Sequence, residues 1–282
     1  MLSKCSIMLG LLRKLFPGQD QVSAKPAFQI PNDQMEEIKK VNRSSLALVD
    51  DWIDETAFSK SFFKYGVPDF IKTEINKPIG DTITYTDLML FISRKHFPSI
   101  HYLEIGVSVG KNFFQLINAH AKGSFTGFDI EEINPVLEKR LAFKNREEWE
   151  TPSRSIKKNQ SSFKTYRFKE TEVSYLSADV WDENSWAKLK GNKFNMVFSD
   201  ALHTPQAILF EFEMLVKYNL LDDQFVIFWD DLVGKMKNSF YKIIRKYDKV
   251  YKIQDIYLLN INGWVGENEA AHTVGIISNF NL

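Results

Sequence analysis

Short apolar segments alternate with helix-forming stretches through the second half of this chain, and this alternation limits the available folds more than any other feature. Five of the segments predict strands: Tyr102–Ile105, Ser124–Phe128, Val173–Leu176, Phe194–Phe198 and Phe225–Trp229. Apolar strands separated by helices are typical of a parallel sheet that is covered by helices on both faces. The pattern therefore predicts a doubly wound α/β fold.

The end of the chain departs from the alternation. Two further apolar segments, Ile256–Ile261 and Thr273–Ser278, are separated by a stretch too short for a crossover helix. Strands joined in this way pair antiparallel. We therefore predict a mainly parallel, seven-stranded sheet that ends in an antiparallel hairpin.

The part of the chain before the first strand divides into two regions. Residues 1–31 join a basic, amphipathic arm to a linker that contains proline and glycine. The apolar run in the arm is short and no small-residue cleavage site follows it, which disfavours a signal peptide. Residues 32–96 have helical apolar spacing and predict a helical cap or flanking region. Residues 97–282 form the predicted α/β domain.

The connection between the second and third predicted strands contains a basic insertion at about 145–170. The middle of this connection, from Thr151 to Lys169, carries Arg154, Lys157, Lys158, Lys164, Arg167 and Lys169 with few aliphatic residues. A solvated insertion is the simplest interpretation, and a docking surface for a phosphate-bearing or nucleic-acid partner is the alternative. Because no recognised nucleic-acid module accompanies the insertion, we expect no nucleic-acid partner.

Composition excludes several classes of protein. Lysine and arginine total 36, as do aspartate and glutamate, so no overall field favours nucleic acid or an acidic membrane. The lone Cys5 leaves no intramolecular disulfide and no cysteine cluster for zinc, which fits a reducing compartment. No apolar run approaches the roughly 20 residues of a transmembrane helix. These observations predict a cytoplasmic protein, and they leave open whether it forms a homo-oligomer.

A glycine turn follows the first predicted strand, which runs through Glu104 to Gly106 and Gly110 before a helix begins at Lys111. Glycine lets the backbone approach a ligand closely, and a helix N-terminus presents unpaired N–H groups. Asp129, at the end of the next strand, is placed to accept the two hydroxyls of a ribose. The charge of Glu104 would repel a pyrophosphate, so a cationic or zwitterionic nucleoside such as S-adenosylmethionine fits better. The structural alternative is a plain strand-to-helix turn in which Glu104 pairs with Lys111.

Every predicted parallel strand ends at a carboxylate. The segments that follow the last two of these parallel strands contain a second cluster: Asp200, His203, Asp230 and Asp231. Three carboxylates that share a site must be protonated, hydrogen-bonded or bound to a cation. Ligand sets made only of oxygen select Mg²⁺, Ca²⁺ or Mn²⁺. In the structural alternative, His203 caps the following helix and Asp230 holds a loop amide. Trp264 lies in the nearby hairpin loop, where it could either wall the site or join the core.

Taken in order, these segments resemble a class I S-adenosylmethionine-dependent methyltransferase over roughly residues 85–279. The resemblance implies that the cofactor contacts Glu104, Gly106, Gly110, Asp129 and Asp179, with Asp129 on the ribose and Asp179 at the adenine. It extends from the first motif, Tyr102–Gly110, to the terminal hairpin.

The second cluster is similar to that of metal-dependent O-methyltransferases that act on sugar hydroxyls. That resemblance implies Mg²⁺ or another divalent cation on Asp200, Asp230 and Asp231, with Asp200 and His203 catalytic and His203 as the base. The expected acceptor is a hydroxylated small molecule such as a sugar. Two alternatives stay open: a nucleic-acid or protein methyltransferase that docks through the basic insertion, and a non-catalytic subunit that keeps the cofactor fold.

Overall fold

The computed structural model describes residues 30–47, 49, 52, 66–67, 71–143 and 162–282, so most of the predicted N-terminal arm lies outside the described residues. Its helices are α1 (Asn32–Leu46), α2 (Lys72–Ile75), α3 (Tyr85–His96), α4 (Lys111–Ala119), α5 (Pro135–Phe143), α6 (Glu183–Ala187), α7 (Pro205–Lys217) and α8 (Lys235–Tyr251). Its strands are β1 (Ile100–Ile105), β2 (Gly123–Asp129), β3 (Ser162–Phe168), β4 (Thr171–Ser177), β5 (Phe194–Ser199), β6 (Leu221–Trp229), β7 (Asp255–Ile261) and β8 (His272–Ser278). A short 3₁₀ helix, Gly266–Asn268, lies between the last two strands.

One sheet joins all eight described strands in the order β3-β4-β2-β1-β5-β6-β8-β7. The five strands from β4 to β6 run parallel, whereas β8 is antiparallel to β6 and β7 is antiparallel to β8. The predicted α/β fold with a parallel centre and a terminal antiparallel hairpin is confirmed.

The eighth strand, β3, was not predicted, because its residues belong to the basic insertion. It pairs antiparallel with β4 through a tight connection, with Phe168 opposite Thr171. Only Ser162 and Tyr166 of this edge strand are buried, so it lacks the continuous apolar run of the central strands. Its stability comes from backbone pairing along the full length of β4, which local apolar patterning does not reveal.

Both faces of the sheet are covered. On β6, Val226 and Phe228 point into one apolar cluster, while Ile227 and Trp229 point into the other. The first cluster contains residues of α1, α3 and α4, and the second contains residues of α6, α7 and α8. Side chains alternate between the faces of a strand, so a central strand must be apolar throughout to supply both clusters.

Helix α1 is tied to α3 by a buried polar network. The guanidinium of Arg43 donates to both oxygens of Asp87, at 3.0 and 2.7 Å, and the Asp87 side chain is fully buried. Asn42 donates to Asp87 and to Gln115 of α4. Thr84 and Asp87 also form a capping box at the start of α3. The network therefore fixes the predicted flanking helix against the face of the sheet.

Among the described residues, no helix has the length and apolarity needed to cross a membrane.

Candidate functional site

The carboxyl ends of the parallel strands open into a cavity of about 720 Å³. Seven of the predicted site residues line it: Gly106, Asp129, Asp179, Asp200, His203, Asp230 and Asp231. Because parallel strands end at the same edge of a sheet, loops that are far apart in sequence meet there. The structure thus brings together the glycine turn and the second acidic cluster.

Glu104 does not lie on the cavity wall. Its side chain is buried, and its Oε2 accepts hydrogen bonds from the Tyr102 hydroxyl at 2.6 Å and the Asn112 amide at 2.9 Å. Burial raises the pKa of Glu104 well above its usual value. The alternative in which Glu104 pairs with Lys111 is wrong, because the Lys111 ammonium donates to the backbone carbonyl of Ile75 at 2.9 Å. Gly110 also lies off the wall, at the N-cap of α4.

Gly106 is required by a close approach of two loops. Its φ is 85°, and a Cβ there would lie 2.5 Å from the carbonyl oxygen of Asp200 and 2.5 Å from the amide nitrogen of Ala201. Any other residue would adopt this left-handed backbone only with strain, and its Cβ would clash with these backbone atoms. The glycine therefore lets the β1 loop touch the β5 loop, which joins the two halves of the site.

Asp129 holds the glycine turn in place. Its Oδ2 accepts from the amides of Val107 at 2.7 Å and Ser108 at 2.9 Å, and its Oδ1 accepts from the amide of Glu131. Burial raises the pKa of Asp129, and these amide hydrogen bonds oppose the rise. Asp179 is exposed, and its Oδ1 accepts from the amide of Trp181. Both carboxylates line the same cavity as Gly106.

Asp230 and Asp231 also line the cavity, and they lie beside an imidazole that was not among the predicted site residues. Nδ1 of His272 lies 2.9 Å from Oδ2 of Asp230 and 3.1 Å from Oδ1 of Asp231, and its Nε2 lies 3.3 Å from Oε2 of Glu269. One ligand atom from each of Asp230, Asp231 and His272 lies within 4.8 Å of the others, as a metal site requires. Asp200 is not part of this group of three.

The predicted hairpin would have pointed to His272 only if the pairing of β8, rather than β7, with β6 had been known. Strand β8 runs antiparallel to β6, with Gly275 opposite Trp229, so the first residue of β8 lies beside the loop that follows β6. A histidine at the start of β8 must therefore approach Asp230. The carboxylates of Asp230, Asp231 and Glu269 outweigh the effect of burial and raise the pKa of His272 to about 12.

His203 lies between two carboxylates, with Nε2 at 3.0 Å from Oδ1 of Asp200 and Nδ1 at 3.2 Å from Oδ2 of Asp231. Burial disfavours the imidazolium, but the two carboxylates outweigh it and raise the pKa of His203 to about 10. Burial and the charge of Asp230 raise the pKa of Asp200 to about 7. The imidazoles of His203 and His272 lower the pKa of Asp231. The alternative of His203 as a helix cap is wrong, because the Thr204 side chain caps α7. Its other part is confirmed, because Oδ1 of Asp230 accepts from the loop amide of Asp231 at 2.8 Å.

The described part of the basic insertion carries few unpaired charges. Lys164 lies 3.2 Å from Glu138, and Arg167 lies 2.8 Å from Glu172. Both carboxylates belong to neighbouring elements of the same chain. These contacts leave less positive charge for a nucleic-acid partner than the sequence alone suggested.

No family model matches the sequence, and no curated protein matches it either. The fold is similar to that of the O-methyltransferase TomG from Streptomyces achromogenes in complex with SAM, with 14% identity, 86% of this chain and 98% of that chain covered, and a TM-score of 0.49. It is also similar to SAH-bound PaMTH1, a Podospora anserina methyltransferase, with 15% identity, 80% and 96% covered, and a TM-score of 0.42.

A third solved structure, the O-methyltransferase from Bacillus cereus in complex with SAH, is 16% identical, with 88% of this chain and 92% of that chain covered and a TM-score of 0.42. All three are methyltransferases with SAM or SAH bound. At such identities and TM-scores the likeness concerns the general course of the chain, so the activity has to be argued from the site.

Proposed function

We propose that this chain is an S-adenosylmethionine-dependent O-methyltransferase that acts on a hydroxyl of a sugar or a related small molecule, assisted by a divalent cation and by His203. The observation that carries the proposal is the meeting, in one cavity, of Gly106 and Asp129 with an acidic cluster that contains a histidine. A cavity of about 720 Å³ lies within the range that encloses small-molecule ligands. Cofactor and acceptor can therefore occupy adjacent parts of it.

The cofactor half is built around the glycine turn. Asp129 anchors the turn through the amides of Val107 and Ser108 and also faces the cavity, where its carboxylate can accept ribose hydroxyls. Asp179 is exposed at the end where we place the adenine. S-Adenosylmethionine, when bound, supplies an electrophilic methyl group. Glu104 lies behind the turn, so we assign it a positioning role through Tyr102 and Asn112.

The acceptor half contains donors that suit a divalent cation. Asp230 is almost completely buried, Asp231 beside it is half-buried, and one oxygen of each lies within 4.8 Å of the other. Carboxylates this close repel one another unless positive charge compensates them. Asp200 remains the predicted third carboxylate ligand. A divalent cation, when bound, makes an adjacent hydroxyl more acidic. Trp264 lines the same part of the cavity and offers an aromatic face on which a sugar ring can stack.

His203 is positioned to accept the proton of the acceptor hydroxyl. Its Nε2 is held by Asp200, whereas its Nδ1 contacts Asp231. Asp200 and Asp231 raise the pKa of His203 to about 10, so the imidazole can act as a base at neutral pH only when the charges of both carboxylates are compensated. Nδ1 is then the nitrogen that accepts the proton, while Asp200 keeps the ring oriented through Nε2.

The test uses the full-length protein in two measurements. Calorimetry with S-adenosylhomocysteine reports the cofactor half, and transfer of a labelled methyl group to a panel of free sugars and glycosides reports the reaction. We expect binding of the nucleoside in the wild type, and transfer that a chelator abolishes. Asp200→Asn and His203→Gln should keep nucleoside binding within about threefold and lower transfer by roughly 10²–10⁴-fold.

Asp223→Asn is the matched control, because Asp223 is an exposed residue near the opposite end of β6. It should change neither measurement. Absence of nucleoside binding in the wild type would refute the cofactor assignment. Wild-type transfer by His203→Gln would refute the role of His203 while leaving the methyltransferase assignment intact.

A further inference from the structure

The acidic cluster differs in one ligand atom from the set that the sequence suggested. All predicted ligands were carboxylates, yet the group that the structure assembles is Asp230, Asp231 and the imidazole of His272. We propose that His272 binds the cation through Nδ1 and that Glu269 orients the imidazole ring. This proposal rests on the proposed function only for the presence of a cation. The centre would then combine nitrogen and oxygen ligands.

The contacts of His272 fit a metal ligand, since a cation at Nδ1 would take the place of the proton that Asp230 and Asp231 otherwise hold there. Its Nδ1 is buried and lies 2.9 and 3.1 Å from the two aspartate oxygens, but it is not aligned for a hydrogen bond with a described residue. Ligands about 2.1 Å from a cation and at right angles to each other lie about 3 Å apart. The two distances from Nδ1 match this spacing, and one ligand atom from each of the three residues lies within 4.8 Å of the others.

The ring of His272 is held in this orientation by its neighbours. Tyr85 packs edge-on against it, with ring centroids 6.0 Å apart and an interplanar angle of 89°. A Cβ at position 263 would lie 2.9 Å from Nε2, so Gly263 leaves the space that the ring occupies. Tyr85 is fully buried, and its hydroxyl lies near the backbone of Trp264. No described residue is aligned to form a good hydrogen bond with this hydroxyl.

Glu269 completes an arrangement common in metal sites. Its Oε2 lies 3.3 Å from Nε2, the nitrogen that points away from the aspartates. A histidine that binds a metal through one nitrogen usually donates from the other to a carboxylate or carbonyl, which fixes the tautomer. Glu269 is therefore a positioning residue for Nδ1 of His272.

An imidazole ligand changes which cation the site prefers. Carboxylates alone suit Mg²⁺ and Ca²⁺, whereas imidazole strengthens the binding of Mn²⁺, Fe²⁺, Co²⁺ and Zn²⁺. Asp230 and Asp231 keep the site open to Mn²⁺, which accepts both kinds of ligand. We therefore expect metal-free protein to bind Mn²⁺ at least tenfold more tightly than Mg²⁺.

The test is calorimetry with Mn²⁺ and Mg²⁺ together with pulsed electron paramagnetic resonance of the Mn²⁺-loaded, full-length protein. The wild type should show a ¹⁴N coupling to Mn²⁺. His272→Gln should lose that coupling and most of the preference for Mn²⁺. His203→Gln and His101→Gln should keep the coupling, since His203 contacts a different side of Asp231 and His101 lies at the start of β1.

A second variant covers the case in which His272→Gln does not fold. Glu269→Gln should weaken Mn²⁺ binding by roughly 10–100-fold while the nitrogen coupling persists. Mn²⁺ bound without ¹⁴N coupling, a coupling lost in His203→Gln instead, or equal affinities for Mn²⁺ and Mg²⁺ would each overturn the proposal. If no cation binds but methyl transfer persists, the His272 imidazolium itself neutralises the aspartates, which overturns this inference and leaves the transferase assignment standing.

Discussion

Glu211 offers a quantitative test of how the core beneath the site is charged. This residue of α7 is buried, its Oε2 accepts from the Ser199 hydroxyl at 2.5 Å, and its Oε1 has no hydrogen-bond partner among the described residues. Burial raises the pKa of Glu211 from 4.5 to about 8. At neutral pH the folded protein therefore holds a proton that the unfolded chain releases.

The sign of the effect on stability follows from that proton. Below pH 4.5 the carboxyl group is protonated in both states, so burial carries no ionisation penalty. Between pH 4.5 and 8 the unfolded chain loses the proton while the folded protein keeps it, so the free energy of unfolding falls as pH rises. At about 1.4 kcal/mol per pH unit, the loss is about 1 kcal/mol at pH 5, about 3 at pH 7 and about 5 at pH 8.5.

Glu211→Gln replaces the protonated carboxyl group with an amide of similar shape and removes this penalty. In urea denaturation with a chelator present, the variant should exceed the wild type in unfolding free energy by those amounts at the three pH values. Glu213→Gln is the matched control on the same helix, because its side chain is 50% exposed and pairs with Lys246. It should change stability by less than about 1 kcal/mol at every pH. An advantage of Glu211→Gln that does not grow between pH 5 and 8 would refute the reasoning.

Two further predictions concern backbone and ion-pair geometry, and both are checked by urea denaturation. Gly106→Ala should lower the free energy of unfolding by about 3 kcal/mol or more, because the new Cβ meets backbone atoms 2.5 Å away. The control Gly191→Ala should lower it by about 1 kcal/mol, because Gly191 also has a positive φ but no neighbour within 4 Å. Equal losses would mean that the protein relieves the clash at position 106. Arg43→Met should cost about 3 kcal/mol because it leaves the buried carboxylate of Asp87 without its cation. Arg167→Met removes a solvent-exposed ion pair and should cost under about 1 kcal/mol, so similar losses in both variants would contradict the assigned burial.

The central strands were predictable because burial on both faces leaves a local signal. Val226 to Trp229 must be apolar at every position, whichever helices cover them. The carboxylates at the ends of these strands were predictable for a related reason: parallel strands end at one edge, so their sequence positions imply proximity. Asp129, Asp200 and Asp230 were placed correctly at that edge.

The strand β3 and the direction of Glu104 were not predictable in this way. β3 is an edge strand whose pairing with β4 depends on backbone hydrogen bonds, and these leave little trace in side-chain pattern. Glu104 lies on a strand that ends at the cavity, but its side chain points into the core, where Tyr102 and Asn112 receive it. Neighbouring carboxylates can therefore differ in role because one residue faces the cavity and another does not.

The sequence by itself determined the α/β class, the parallel centre with its terminal hairpin, and the edge of the sheet at which polar residues gather, since each depends on local periodicity and order along the chain. Only the tertiary structure decided which of those residues share a space. Gly106 admits the backbone of Ala201, and the antiparallel return of β8 carries His272 to Asp230 across 42 positions of sequence. Such contacts depend on strand direction and loop packing, which no local pattern of residues encodes.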